Sequence, residues 1–209
     1  MRRLIAFAVE HDACCIDIGA HRGAVLDEML RVAPEGHHLA FEPIPQLASE
    51  LRVAFPGVEI HELALSDHSG TASFAHVHGS AEGWSGLRFR PLPGGAQAEV
   101  EQITVRVEPL DTVLDPELAP ALIKIDVEGA ERQVLEGARR TLTRHHPILI
   151  FEHGSGSAEA YGSGPTDVHG LLGELGYRIF DLDGGGPYPL ERFTACFHAA
   201  ERVNFVAHR

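Results

Sequence analysis

Ala13-Cys14-Cys15-Ile16-Asp17-Ile18-Gly19-Ala20-His21-Arg22-Gly23 is the stretch on which the fold turns. An uninterrupted apolar run with one acid reads as a buried strand, and the glycines that follow read as a turn. Val25, Leu26, Met29, Leu30 and Val32 then recur at helical spacing until Pro34-Glu35-Gly36 stops them. Strand, glycine turn and helix are the opening unit of an α/β protein. The unit repeats outward: His38–Glu42 is a second strand running into Pro43, Leu47, Leu51 and Phe55 mark a helix, and 58–65 supplies a third strand. Alternation at this pace predicts right-handed βαβ crossovers and a mostly parallel, Rossmann-like sheet with helices on both faces.

The middle breaks the rhythm. Residues 71–78 and 100–107 alternate like strands with no helix between them, which predicts an inserted antiparallel β pair over about 70–108. The connecting stretch, Gly79 to Ala98, is rich in Gly, Pro and Ser and holds the single Trp, Trp84, as a lid or a packing anchor. Leu122–Asp126 restores the pattern, followed by one helix through Val134, Leu135, Ala138 and Leu142, the strand Ile148–Glu152, and a short helix near Val168–Leu175 capped by Gly176. Two strands, 177–182 and 202–207, close the sheet as an antiparallel, hairpin-like edge. A chain of 209 residues is long enough for one sizeable core, so residues 1–209 are expected to form a single domain.

Composition narrows the partners. Seventeen Lys+Arg against 30 Asp+Glu give a net charge of −13, with no basic cluster, which disfavours nucleic acid and anionic membranes and leaves a small molecule. No apolar stretch approaches the roughly 20 residues of a membrane span, and the Met1-Arg2-Arg3 start is too short for a signal peptide, so a cytoplasmic location is expected. Cys14, Cys15 and Cys196 match neither a zinc nor a disulfide pattern and read as buried free thiols. Oligomeric state is open, a homodimer included.

In an open α/β sheet, ligands bind beyond the carboxyl ends of the strands. The residues there are Asp17, Glu42, Ser66-Asp67, Asp126-Val127-Glu128 and Glu152-His153, a row suited to a cationic or hydroxyl-rich ligand. Glu42 stands where a carboxylate can accept both hydroxyls of a ribose, which fits nicotinamide dinucleotides and S-adenosylmethionine alike. The turn, however, lacks the G-x-G-x-x-G spacing that seats a pyrophosphate, and an acid two residues before Gly19 opposes one. The same acid suits an ammonium and a sulfonium, so the chemistry favours S-adenosylmethionine.

Asp17-Ile-Gly-Ala-His-Arg-Gly23, Phe41-Glu42-Pro43, Ala64-Leu65-Ser66-Asp67 and Ile123-Lys-Ile-Asp-Val-Glu-Gly-Ala-Glu131, in this order, resemble the FkbM family of methyltransferases. The resemblance spans about residues 13–207. It implies the class I methyltransferase fold, a seven-stranded sheet with an antiparallel last strand, and methyl transfer from S-adenosylmethionine, commonly to a hydroxyl of a sugar or secondary metabolite. It places Asp17, Gly19, Ala20 and Gly23 around the methionine end of the cofactor, Glu42 and Pro43 at the ribose, Ser66 and Asp67 beside the adenine, and Asp126 where cofactor and acceptor meet. His153 or Asp126 is then the candidate general base, with Glu128 and Glu152 orienting. N-methylation is a near variant; a catalytically silent Rossmann-like binding domain is the alternative from another class, and an NAD-dependent oxidoreductase is weaker. Fourteen His include His76-x-His78 on one strand face, but His37-His38 and His145-His146 read as solvent-facing and no metal is expected. Lys124, the single lysine, either pairs with a pocket carboxylate or snorkels from the sheet.

Overall fold

The computed structural model describes residues 1–92, 97–199 and 202–209, so residues 93–96 of the long connection lie outside the described residues. The apolar runs form β1 (Cys14–Ile18), β2 (Leu39–Phe41), β3 (Glu59–His61), β4 (Ala64–Leu65), β5 (Gly70–Val77), β6 (Val100–Glu108), β7 (Pro120–Ile125), β8 (Ile148–Glu152), β9 (Arg178–Asp181) and β10 (Asn204–His208). Seven of them make one sheet in the order β3-β2-β1-β7-β8-β10-β9. Its neighbours are parallel except β10, which runs antiparallel to both β8 and β9. The strand order reverses beside β1, which puts the topological switch point between β1 and β7.

Period-two alternation sends the side chains of the central strands to two helical layers. Ile16, Ile18, Ile123, Ile125, Leu149 and Phe151 face one core, closed by α4 (Leu110–Val113), α5 (Glu131–Gly137), α6 (Arg139–His145), α7 (Pro165–Glu174) and α8 (Leu190–Ala199). Cys15, Leu122 and Ile150 face the other, against α1 (Arg2–Ala8) and α2 (Ala24–Val32), while Leu51 of α3 (Pro45–Ala54) packs on Leu26 and Ala40. Cys14 and Cys15 are buried free thiols, pushed by burial up to about 11 and about 12; Cys196 is half-buried. No helix among the described residues is long and apolar enough to cross a membrane.

Five local expectations need correction. The third strand is two: β3 stays in the main sheet, then the chain leaves it and β4 pairs with β6 in a small three-stranded sheet β4-β6-β5. The helix after β7 breaks at Ala138, just beyond Gly137, where a Cβ would fall 1.9 Å from the Ser66 carbonyl oxygen and so only glycine fits. Asp111 compensates from outside, its carboxylate accepting from the Arg140 and Thr141 amides at 2.7 and 2.9 Å and so satisfying the first turn of α6. The last two strands are not a simple hairpin, since α8 lies between them and β10 inserts between β8 and β9. The helix α1 was not anticipated; its Ile5 is fully buried. His38 is also fully buried, its Nδ1 accepting from the Cys15 amide at 3.2 Å and its Nε2 donating to the Ala33 carbonyl at 2.7 Å. A buried ring with both nitrogens satisfied is a structural strut, whereas His37 is exposed as expected.

Candidate active site

A cleft of roughly 780 Å³, its open mouth included, lies at the carboxyl ends of β1, β2 and β7, at the switch point. One wall is apolar: Ile44, Leu63, Leu65, Phe74 and Leu87. Phe74 reaches it because β5 and β6 fold back over the end of β4, where Ile44, Leu47, Phe74, Val105 and Val107 form a separate apolar cluster. The other wall is acidic, built from Glu42 at the end of β2 and Asp126 and Glu128 beyond β7. Glu82 hangs over the mouth from the segment Gly79–Trp84, its Oε2 accepting from Arg22 Nη2 at 2.7 Å and lying 3.0 Å from His21 Nε2. Burial favours protonation of Glu82, but Arg22 and His21 together outweigh it and hold the carboxyl below its usual range.

Glu42 is the polar anchor of the cleft. Its Oε2 accepts the His21 amide at 2.8 Å and its Oε1 the Ile44 amide at 2.9 Å, which locks the side chain while each oxygen keeps a second lone pair. Burial pushes this carboxyl up to about 7, although the Ile44 and His21 amides pull it down. The turn before α2 has less spare capacity. The Gly19 and Ala20 amides donate to the Phe41 carbonyl, at 3.0 and 3.1 Å, and Gly23 donates to the Ala20 carbonyl at 2.8 Å. Amides committed inside the protein are not available to cradle a pyrophosphate, which agrees with the missing dinucleotide spacing.

Both turn glycines are required by the protein itself. Gly19 has φ +74° and a Cβ there would sit 1.9 Å from the Asp126 carbonyl oxygen; Gly23 has φ +79° and a Cβ would meet the Phe55 ring at 2.4 Å. Gly19→Ala therefore combines a left-handed backbone cost of about 1–2 kcal/mol with an overpacking cost of about 1–3 kcal/mol. The expected result in urea unfolding is a lower midpoint at unchanged slope; a midpoint equal to wild type would show that the β1 and β7 ends can separate freely. Two non-glycine residues of the cleft also hold positive φ, His21 at +50° and Glu128 at +58°. Such strain concentrates at functional sites.

The site residues expected from the sequence divide into three groups. Gly19, Glu42, Pro43, Asp126 and Glu128 line the cleft together. Asp17 and Ala20 lie beneath it: Asp17 is fully buried on the α1/α2 side, its Oδ1 3.2 Å from Lys124 Nζ, and Ala20 packs with Leu26 and Leu51. Lys124 also donates to the Gly19 carbonyl at 2.8 Å and lies 3.6 Å from Asp126 Oδ2. Burial alone would lower this ammonium; Asp17 and Asp126 outweigh it and hold it above its usual range. Gly23, Ser66, Asp67, Glu152 and His153 are not brought to the cleft. Ser66 is buried against α5, and the exposed Asp67 pairs with His68 at 2.7 Å, so Leu63–Leu65 occupy the wall where these two were expected. His153 is buried between Phe193 and Phe197 of α8, at centroid distances of 5.7 and 4.9 Å, with its Nδ1 3.6 Å from Glu131 Oε2. Glu152 is half-buried and pushed up to about 7, by burial first and then by the charges of Asp126 and Glu131.

Residues missed in the sequence are Phe74, Leu87, Glu82 and Arg90. Arg90 is buried, stacks over Trp84 at 4.3 Å and pairs with Glu128, so Trp84 anchors an arginine rather than lining the cleft. The parity of β5 could have exposed Phe74, since it alternates with Ala75 and Val77; no local signal marks Glu82 or Arg90.

Comparison with known proteins agrees with this geometry. Residues 17–179 match the family described as the methyltransferase FkbM domain. The chain is 26% identical over 156 residues to the 2-O-methyltransferase NoeI of Sinorhizobium fredii, covering 68% of this chain and 64% of that protein. Among solved structures, methyltransferase FkbM from Methylobacillus flagellatus superposes with a TM-score of 0.57 at 17% identity, over 96% of this chain and 44% of that one. A TehB-like S-adenosylmethionine-dependent methyltransferase from Corynebacterium glutamicum superposes with a TM-score of 0.52 at 13% identity, over 99% and 84%. These likenesses establish the class I methyltransferase fold, although the chain spans less than two thirds of the length of NoeI and under half of the M. flagellatus protein. With its matched segment running from Asp17 in β1 to Ile179 in β9, the chain belongs to the FkbM methyltransferase domain family.

Proposed function

We propose that the protein is an S-adenosylmethionine-dependent methyltransferase acting on a hydroxyl of a small sugar-like or secondary-metabolite acceptor. The observation that carries this reading is the cleft with its locked Glu42 carboxylate between an apolar wall and the acidic end at Asp126. Those residues fit the cofactor: Glu42 would accept the ribose hydroxyls, the wall of Ile44, Leu63, Leu65 and Phe74 would take the adenine, and the Asp126 end would receive the sulfonium side. The cofactor supplies an electrophilic methyl group. The protein's part is to hold the acceptor oxygen in line with it, exclude water and take up the hydroxyl proton. Transfer to oxygen rather than nitrogen is supported by the description of NoeI as a 2-O-methyltransferase.

The test is a calorimetric titration with S-adenosylhomocysteine, run beside NAD, on wild type and Glu42→Gln. Saturable binding of S-adenosylhomocysteine alone is expected, weaker by about 10–100-fold in the variant, as for losing a charged hydrogen-bond partner worth about 1.5–3 kcal/mol. Because Glu42 ionises near 7, affinity in wild type should rise as pH increases from 6 to 8, and Glu42→Gln should flatten that rise. Folding has the opposite slope: the folded carboxyl holds its proton up to about 7 while the unfolded one releases it near the ordinary 4.5, so the unliganded protein loses stability between those values. Binding of NAD instead, or of neither ligand by a folded protein, would overturn the proposal in favour of an oxidoreductase or a silent binding domain.

A further inference from the structure

The inner face of the small sheet changes character along its length. Ala72, Phe74 and His76 of β5 oppose Val105, Ile103 and Glu101 of β6 in register, and His78 follows two residues on, so an apolar face ends in two imidazoles and a carboxylate. His76 is buried, and its Nε2 has no hydrogen-bond partner among the described residues. His78 Nε2 lies 3.3 Å from Glu101 Oε2, the two imidazole rings are 4.1 Å apart, and one ligand atom from each of the three residues lies within 4.8 Å of the others. We propose that His76, His78 and Glu101 form a site for one divalent transition-metal ion of the zinc class. Ligand atoms around tetrahedral zinc are about 3.3–3.5 Å apart, given bond lengths near 2.0–2.2 Å, so the cluster needs only small side-chain rotations to close. Two imidazoles and one carboxylate suit zinc better than magnesium or calcium, which favour all-oxygen shells. Glu101 supplies one negative charge to the ion, and Glu82, paired with Arg22 on one oxygen, brings its other oxygen to 3.8 Å from His76 Nε2.

This site is separate from methyl transfer and stands or falls independently of it. Its place beside Glu82, which also contacts His21 and Arg22, would tie the inserted sheet to the turn at the cleft mouth. The experiment is a zinc titration of the chelator-stripped full chain against a chromophoric chelator, with His78→Ala and Glu101→Gln as test variants and the exposed His37→Ala as control. One ion per chain is expected in wild type and in the control. Each test variant should lose more than the roughly 10–100-fold that removal of an outer-shell partner costs, and zinc should raise the melting temperature of wild type but not of the test variants. Because His78 is half-buried and Glu101 exposed, both variants should fold, which circular dichroism verifies. Equal affinity in wild type and variants, or only weak binding spread over several ions, would overturn the site and leave a surface rich in His.

Discussion

Asp126→Asn is expected to slow turnover by about 10²–10⁴-fold, the usual contribution of a positioned proton acceptor, while changing the affinity for S-adenosylhomocysteine far less. Two groups are candidates for that role, His153 and Asp126, with Glu128 and Glu152 as orienting neighbours, and their surroundings separate them. His153 is sealed between the rings of α8, Glu128 is tied to Arg90, and Glu152 does not line the cleft. Asp126 lines it, is half-buried, and has Lys124 Nζ 3.6 Å from its Oδ2, so its carboxylate is both open to the cleft and held in place from beneath. Asn keeps the size and one acceptor oxygen, so a change in kcat without a matching change in Kd would isolate proton transfer from positioning. The measurement is S-adenosylhomocysteine release, with any hydroxylated acceptor that a labelled-methyl screen finds. Turnover at the wild-type rate would mean that alignment of the acceptor suffices and that no base is supplied here. The parallel variant His153→Phe preserves the stack with Phe193 and Phe197 and should leave turnover near wild type; a comparable loss there would move the proton acceptor back to β8.

The central strands were legible because buried parallel strands are continuous apolar runs, and β1, β7 and β8 have no competing pattern. What escaped follows from tertiary contact. In α8 only Phe193 and Phe197 are buried, a two-residue stripe behind Pro187-Tyr188-Pro189 that is too sparse to read as a helix. That helix also buries His153, whose ring lies against Phe193 and Phe197, so the unread tail helix decides where this strand-end residue sits. The displacement of Ser66-Asp67 from the cleft has a similar origin. Periodicity predicts one strand through 58–65, but pairing of β4 with β6 takes the chain out of the main sheet and presents Leu63–Leu65 to the cleft instead. The sequence predicts Asp17 as a strand-end residue at the cleft; β1 ends one residue later, and alternation sends Asp17 to the layer opposite Ile16 and Ile18. Asp126 and Glu42 were placed in the cleft because both lie just past a strand end, where the direction of the chain and not the pleat decides exposure.

Lys124→Met is the substitution expected to cost most in stability. Asp17 and Lys124 face each other in the register of β1 and β7, both buried, and the ammonium is shared between Asp17, Asp126 and the Gly19 carbonyl. Removing one member of a buried ion pair strands the other, at about 3–5 kcal/mol, which for a domain of this size lowers the melting temperature by about 6–20 °C. Neutralising both partners avoids the stranded charge, so Asp17→Asn combined with Lys124→Met should be less destabilised than Lys124→Met alone, and the double-mutant cycle should return a coupling well above 1 kcal/mol. The single variant should also change how stability responds to pH. Burial already holds the Asp17 carboxyl above its ordinary range against the pull of Lys124, and removing the ammonium raises it further, so the folded variant keeps the extra proton over a wider interval and loses stability as pH rises through it. Lys124→Met is thus expected to be least destabilised in mild acid, and the double variant to lack that dependence. Equal melting temperatures for the single and double variants at every pH would show that the pair is solvated in solution and that the β1–β7 switch point is held by backbone pairing alone.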